Sequence, residues 1–583
     1  MSWIGDAPGR ARRAAGQQLT YSNNSSSNSS SSSSSSSSRR HTWSSRRDTL
    51  KTKSVIQHNI NTKFGANGVA VFNLIKDLIS LNLWMSLVLC MGLVMPLVMQ
   101  LVVLDDPLPS TPAAWASINT TSTHQCSPIT ITYDNPKVVN CSSEYMTEAG
   151  DSGSQGWEKV WWVSELLLGE GSLEHSPVFL GYYPVVLLDD VYPVAVMHLL
   201  AVLTVFLMSL VAVLTRVGQW LRYNSAFLGS HTFSKMVFTS WDFSLRRLCG
   251  VQSMQHILKN EIRAAFDEDQ FQRSKYSRSR TQVAFLYIKR LFVNCVIFVA
   301  MSVGYMVIIV ITNYRPFLED RIDNKYPEGT WRNVTLNSII NYLDTVTVWV
   351  VGLVLPPLLS LLGTMEEYSS RVSMLLFIFR NAAVRLSSLG VLVISHLIVA
   401  SSDSTEDCRP AMPCWETALA QKLYAQIMWD FVIRVTWTVL LLTNRLLTML
   451  FCLKTSVSLP EFDAPSRVLD VLTLQTICWL SIAVSPLLPL MVLVSLFLLL
   501  LLDVVGALLV TKSPSHMFQA SHSSAMFMVV LAVSWVGAAT VTVAVFFFVP
   551  PSLACGPFRG LTVAWDAITN YICNLDGYFT WLR

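Results

Sequence analysis

Charge is scarce in this chain. Only 14% of its 583 residues are Asp, Glu, Lys or Arg, against roughly a quarter in an ordinary soluble domain. So few charges cannot cover a soluble surface of this size, which excludes a cytosolic enzyme. A hydrophobic content of 52% excludes a disordered regulator. The net charge of +4 is too small for nucleic-acid binding by composition. Enzyme signatures are missing as well: there is no phosphate-binding glycine loop, no HExxH zinc motif, and no serine or cysteine nucleophile setting. No catalytic residue, cofactor or metal is therefore expected. His516 and His522 could share a metal, but two histidines in a short loop are far more often solvated. Lack of a nucleotide-binding module disfavours a primary pump and leaves passive conduction, secondary transport or lipid movement.

Apolar stretches dominate what is present. Mean hydropathy is +0.43 although the first fifty residues are almost wholly polar. That polar segment holds the run Ser29–Ser38 flanked by Arg39, Arg40, Arg46, Arg47, Lys51 and Lys53, and reads as a disordered basic tail rather than a cleaved secretory signal. Beyond it, stretches able to cross hydrocarbon as helices of about 20 residues recur. They lie near 81–104, 192–215, 290–312, 336–362, 374–400, 420–451, 468–486, 488–510 and 524–549. Pro486 and Pro489 divide the seventh from the eighth. The fold class expected is an all-α polytopic membrane protein with nine transmembrane helices.

Charge distribution orients the array. With the N-terminus inside, internal segments hold 28 of the 42 Lys and Arg and external segments hold nine, a strong positive-inside bias. The same topology places the glycosylation triplets at Asn119, Asn140 and Asn333 outside. It also places Cys126, Cys141, Cys408, Cys414, Cys555 and Cys573 in external loops, where disulfides within each loop are expected and the connectivity is open. The chain thus divides into a disordered tail at 1–63, two spans with a glycosylated loop at 64–215, a cytosolic linker at 216–289, a helical membrane domain at 290–549, and an external segment at 550–583.

Ionisable residues inside a bilayer are costly and mark a lumen or a helix contact. Lys422, Gln426, Asp430 and Arg434 recur every four residues along the sixth span. They predict one helical face on a hydrated pathway, or a simple i,i+4 pair between Asp430 and Arg434. In the fourth span Asn337, Asn341 and Asp344 share a face ahead of Gly352 and the pair Pro356-Pro357, where a kink is expected. Arg380 and Arg385 of the fifth are expected to snorkel to the interface.

Cys414, Trp415, Glu416 and Thr417, followed by Gln421, Tyr424, Asp430 and Phe431, closely resemble the signature of the transmembrane channel-like family. Further blocks occur in the family's order: Gly169-Glu170-Gly171 through Pro184, Trp241-Asp242-Phe243, Glu366-Glu367-Tyr368-Ser369, Arg380-Asn381, Ser485 to Pro489, and Cys555-Gly556-Pro557-Phe558-Arg559. The resemblance implies ten helices related to anoctamins and osmosensitive calcium channels, usually paired as a homodimer. It implies a conduit bounded by the fourth to eighth helices, and force-gated cation conduction with calcium-binding and accessory membrane subunits attached. Residues 260–266 could supply a cytosolic helix for such a partner, or one lying on the inner leaflet.

Two departures stand out. Many relatives carry Gly-Gln-Glu where this chain has Ala420-Gln421-Lys422, so an acidic position has become basic and cation attraction should weaken. Residues 556–583 hold no spanning stretch, so the chain reads as one helix short. The function expected is a mechanosensitive cation channel subunit of the plasma membrane, with membrane lipids and cations as its partners. Its conduit would be formed by Asp344, Gly352, Pro356, Gln421, Lys422, Gln426, Asp430 and Arg434. A scramblase-like lipid groove and a non-conducting scaffold are the alternatives.

Overall fold

The computed structural model describes residues 70–103, 141–142, 166–187, 192–225, 234, 237–238, 248–326, 331–402, 414–450, 462–511 and 520–576. All belong to one compact unit, His58–Arg583. The expected tail, Asn119, Asn140, Cys126, Cys408 and His516 lie outside the described residues, as do the side chains of His522 and Cys573.

Among the described residues eight helices are long and apolar enough to cross a membrane, and the protein is an all-α polytopic membrane protein. They are α1 (Ala70–Val102), α2 (Val194–Ser225), α4 (Arg280–Asp323), α6 (Leu343–Thr364), α7 (Ser370–Ser402), α8 (Trp415–Leu450), α10 (Leu488–Leu509) and α11 (Ala520–Phe548). Four more helices complete the set: α3 (Leu248–Ser277), α5 (Trp331–Asn341), α9 (Ala464–Ser481) and α12 (Asp566–Asp576).

The expected seventh span is α9, and it falls short of the hydropathy of the other eight. Its place explains why. It packs against α7, α8, α10 and α11, so protein rather than lipid surrounds it, and polar side chains find partners there. Gln475 and Asn82 of α1 exchange side-chain amide bonds at 2.8 and 3.4 Å, and the Cys478 thiol donates to the same Asn82 oxygen at 3.2 Å. Beyond α9 the turn at 482–487 is gripped from outside: Leu180 N–H donates to Val484 O and Ser485 Oγ to Val178 O. Pro489 then occupies the first turn of α10, where its missing N–H costs nothing.

Proline leaves two other marks. In α1, Pro96 cannot donate to the Gly92 carbonyl, and the helix widens into π turns at Cys90–Val94 and Met99–Val103. The Tyr192 hydroxyl donates to the Gly92 oxygen in its place. In α6, Pro356 and Pro357 lie inside a continuous helix and leave the carbonyls of Gly352 and Leu353 without their i+4 donors.

The expected fourth span, 336–362, is interrupted at Tyr342, which leaves helical geometry (φ −105°, ψ 6°). Its hydroxyl donates to Leu168 O at 2.6 Å. Asn337 and Asn341 therefore belong to α5, and Asp344 to α6. Asn333, one of the expected glycosylation sites, is buried: its amide donates to Tyr326 O, and its side-chain carbonyl accepts from Asn337.

Arg380 and Arg385 do not snorkel. Each bends inward to a carboxylate, because an ion pair inside the bundle was within reach. Arg380 binds Glu366 through both terminal nitrogens, at 2.9 and 2.7 Å, and Arg385 binds Asp470. The α6–α7 turn beside Glu366 is clamped by the start of α4, whose first turn is fixed by a capping box of Ser279 and Gln282. Arg290 donates to the carbonyls of Glu366 and Glu367, and its guanidinium lies 3.9 Å over the Tyr368 ring.

Glu367 itself sits at φ 49°, a left-handed conformation that costs an L-residue about 1–2 kcal/mol. Lys289, 3.0 Å away, donates to its carboxyl and holds it below the ordinary range. The small stabilisation from that pair is present at neutral pH and fades as falling pH protonates the carboxyl. Glu367→Gly is expected to raise the unfolding temperature, since the relieved strain exceeds an exposed ion pair. Glu367→Ala keeps the strain and should melt below the glycine variant in the same thermal scan.

Candidate functional site

A cavity of about 280 Å³ opens between α6, α7, α8 and α9. From α8 it receives Gln426, Asp430, Arg434 and Trp437, and from α6 Trp349 and Gly352. Arg385 enters from α7, and Arg467 and Asp470 from α9. The spacing of four residues on α8 is what brings Gln426, Asp430 and Arg434 to one face. The i,i+4 pair and the cavity contact, set against each other on sequence grounds, coexist: Arg434 binds Asp430 at 2.9 Å while both line the cavity.

The ionised groups are joined across helices. Arg434 also reaches Asp470 at 3.1 Å, Asp470 holds Arg385, and Arg467 pairs at 3.4 Å with Asp503 of α10. Sequence reasoning placed neither Asp470, Arg467 nor Asp503 at the site. Asp503 carried a usable signal, as the single ionisable residue in the aliphatic stretch of α10. Gly352 lines the cavity, and an added Cβ there would meet nothing within 4 Å.

Other expected conduit residues lie elsewhere. Lys422 is buried one turn before Gln426, with its ammonium 3.5 Å from Asp344 and 4.3 Å from the centre of the Tyr342 ring. Asp344, also buried, accepts at 2.8 Å from His396 of α7 and at 2.7 Å from the Thr345 N–H. This cluster joins α6, α7 and α8, and neither Lys422 nor Asp344 lines the cavity. The basic residue that departs from the family pattern is thus neutralised by a carboxylate from another helix. Gln421 points the other way and donates to Gly169 O. Pro356 lies one turn beyond Gly352, outside the lining.

Residues 414–417 anchor the start of α8. Cys414 forms a disulfide with Cys555, so this bridge joins two different loops rather than closing one. Cys141 is also disulfide-bonded. The Trp415 indole donates to Pro550 O at 3.1 Å, and Glu416 accepts the N–H and the hydroxyl of Ser552. Thr417 and both bridged sulfurs crowd Gly181. Cys414, Glu416 and Cys555 have the proximity of a metal set, but the two sulfurs are bonded to each other.

Spanning helices closed around a cavity lined by ionised side chains define a polytopic membrane protein of channel-like architecture. The family model described as TMC domain matches residues 414–521. The chain is 29% identical over 427 residues to the human (Homo sapiens) voltage-gated chloride channel TMC4, covering 70% of this chain and 58% of that protein. Its mouse (Mus musculus) counterpart is 27% identical over 429 residues, 70% of this chain and 60% of that protein. Transmembrane channel-like protein 8 of mouse is 25% identical over 395 residues, 65% of this chain and 53% of that protein. These matches support membership of the transmembrane channel-like family. It spans about three fifths of the length of the first two relatives.

Proposed function

We propose that this chain is a channel subunit that conducts anions through the cavity between α6, α7, α8 and α9. One observation carries the reading: three guanidiniums, of Arg385, Arg434 and Arg467, face the cavity against two carboxylates, of Asp430 and Asp470. Asp503 answers Arg467 from behind, on α10, so the positive sign is local to the lumen. The sequence expectation was cation conduction, argued largely from Asp430. Its carboxylate is tied to Arg434, which lowers its attraction for a passing cation. The relatives named as chloride channels support the same choice of sign.

Membrane tension is the proposed gate. α6 lacks two backbone bonds next to Gly352 and Leu353, so bending is cheapest at the cavity wall. The N-terminus is assigned to the cytosol of a plasma-membrane protein, because the Cys414–Cys555 bridge then lies in an oxidising compartment. A homodimer, with calcium-binding and accessory membrane subunits, completes the assignment through the family resemblance.

The test is flux from proteoliposomes held under a chloride gradient, stepped in voltage and in tension. Chloride current is expected, and sodium current of equal size would reverse the sign assignment. Gly352→Trp should abolish the current, because the added side chain starts in open space on the cavity wall and fills the lumen, and an unchanged melting temperature checks that the variant is folded. Undiminished current in that variant would move the conduit elsewhere.

Lipid movement is a second reading, favoured by Trp437, which lines the cavity and is 56% exposed on the bundle surface. Dithionite bleaching of labelled lipid separates the two. A channel loses only the outer-leaflet signal, whereas a scramblase loses both.

A further inference from the structure

Four charges in the cavity form a line of alternating sign: Asp430, Arg434, Asp470, Arg385. The inner two are fully engaged. Arg434 donates to Asp430 through Nε and Nη2, at 3.0 and 2.9 Å, and to Asp470 through Nη1 at 3.1 Å. Asp470 accepts Arg434 on one carboxylate oxygen and Arg385 on the other. Both carboxylate oxygens and all three guanidinium nitrogens of this central pair therefore have partners.

The outer two are half engaged. Asp430 reaches Arg434 through Oδ2 only, which leaves Oδ1 open. Arg385 reaches Asp470 through Nη1, and its Nε is buried without a partner. Exposure follows the same order: the Arg434 side chain is 9% exposed and Asp470 18%, against 30% for Asp430 and 24% for Arg385. A half-engaged guanidinium on the cavity wall leaves its charge available to an anionic acceptor. An open carboxylate oxygen there repels the same acceptor.

We propose that Arg385 and Asp430 set the charge selectivity of the conduit in opposite senses, with the central Arg434–Asp470 pair acting as a neutral strut. Arg385 is the positive charge that attracts a small monovalent anion, and Asp430 is the charge that disfavours its passage. Arg467 lies outside this line of four; its partner Asp503 stands outside the lining, so Arg467 adds to the positive sign of the lumen without belonging to the pair that selects. The assignment rests on the conduit reading and goes beyond it by naming which two of the lining charges do the selecting.

The design of the chain makes the test tractable. Removing either outer charge leaves the inner pair whole, so no buried ion is stranded. Asp430→Asn leaves Arg434 on Asp470, and Arg385→Gln leaves Asp470 on Arg434. Chloride-to-sodium permeability ratios would be taken from reversal potentials in proteoliposomes. Asp430→Asn is expected to raise the ratio and Arg385→Gln to lower it, each about tenfold for one unit charge in a low-dielectric lumen. Arg385→Lys keeps the charge and should stay close to the wild-type ratio, which a purely structural role for the guanidinium would not predict. Ratios unchanged in both neutral variants, or moved in the same direction, overturn this assignment while the conduit stands. A wild-type protein without any current overturns the conduit reading and the assignment with it. Elution as a monodisperse species with a wild-type melting temperature confirms that each variant is folded.

Discussion

Asp344→Leu is expected to lower the stability of the bundle by about 3–5 kcal/mol, the usual consequence of removing one member of a buried ion pair. The carboxylate is the junction of three helices. It accepts from His396 on α7, faces Lys422 on α8, and takes the Thr345 N–H in the first turn of its own helix. An acidic group there also meets the positive end of the α6 dipole. Without it, the Lys422 ammonium is left buried with the field of Glu170 and the face of Tyr342 as support, and a cation–π contact is worth about 2 kcal/mol when desolvated.

The double variant Asp344→Leu with Lys422→Met is the control. Replacing both members of a buried pair by apolar groups is often neutral, so the double variant should melt well above Asp344→Leu alone. Thermal unfolding in detergent, followed by tryptophan fluorescence, measures all three proteins. Equal losses in the single and double variants would show that the two charges are not energetically coupled.

Gly181→Ala is expected to be nearly as damaging, for a steric reason. Its Cβ would lie 2.3 Å from the Thr417 hydroxyl and 3.1 and 3.4 Å from the sulfurs of Cys414 and Cys555. The bridge fixes those sulfurs, and the Gly181 carbonyl accepts from Gly556 N–H, so neither side can retreat. Overpacking of this kind costs about 1–3 kcal/mol. Thr417→Ala removes the nearest obstacle and should restore part of the loss. A non-reducing gel provides a second readout, because failure to seat residues 180–182 should reduce the fraction of chains carrying the Cys414–Cys555 bridge. Gly352→Ala, with open space at its Cβ, should instead be neutral or stabilising by up to about 1 kcal/mol.

Much of the architecture was legible because lipid imposes a simple rule. A helix that meets hydrocarbon must be apolar over about 20 residues, and α1, α2, α4, α6, α7, α8, α10 and α11 obey it. α9 is the informative exception: it could be recognised as a helix, but its Arg467, Asp470 and Gln475 make sense only once it is surrounded by protein. The break at Tyr342 was not legible, since it depends on a hydrogen bond to Leu168, far away in sequence. The face holding Gln426, Asp430 and Arg434 followed from helical period alone. Its continuation through Asp470 to Arg385 did not, because period says nothing about which helix lies opposite.

The sequence alone determined that this is a helical membrane protein with motifs that resemble the transmembrane channel-like family, and that its polar chemistry is concentrated on the fourth to seventh spans. Solvent preference acts residue by residue, so composition and spacing suffice to reveal it. Only the tertiary structure decided which charges are partners and which groups are left without one. Lys422 is neutralised by Asp344, Arg380 by Glu366, and Arg434 by two aspartates, while Arg385 keeps a donor free. Ion pairing depends on distances of a few ångströms between groups on different helices, and such distances are fixed by packing rather than by order along the chain.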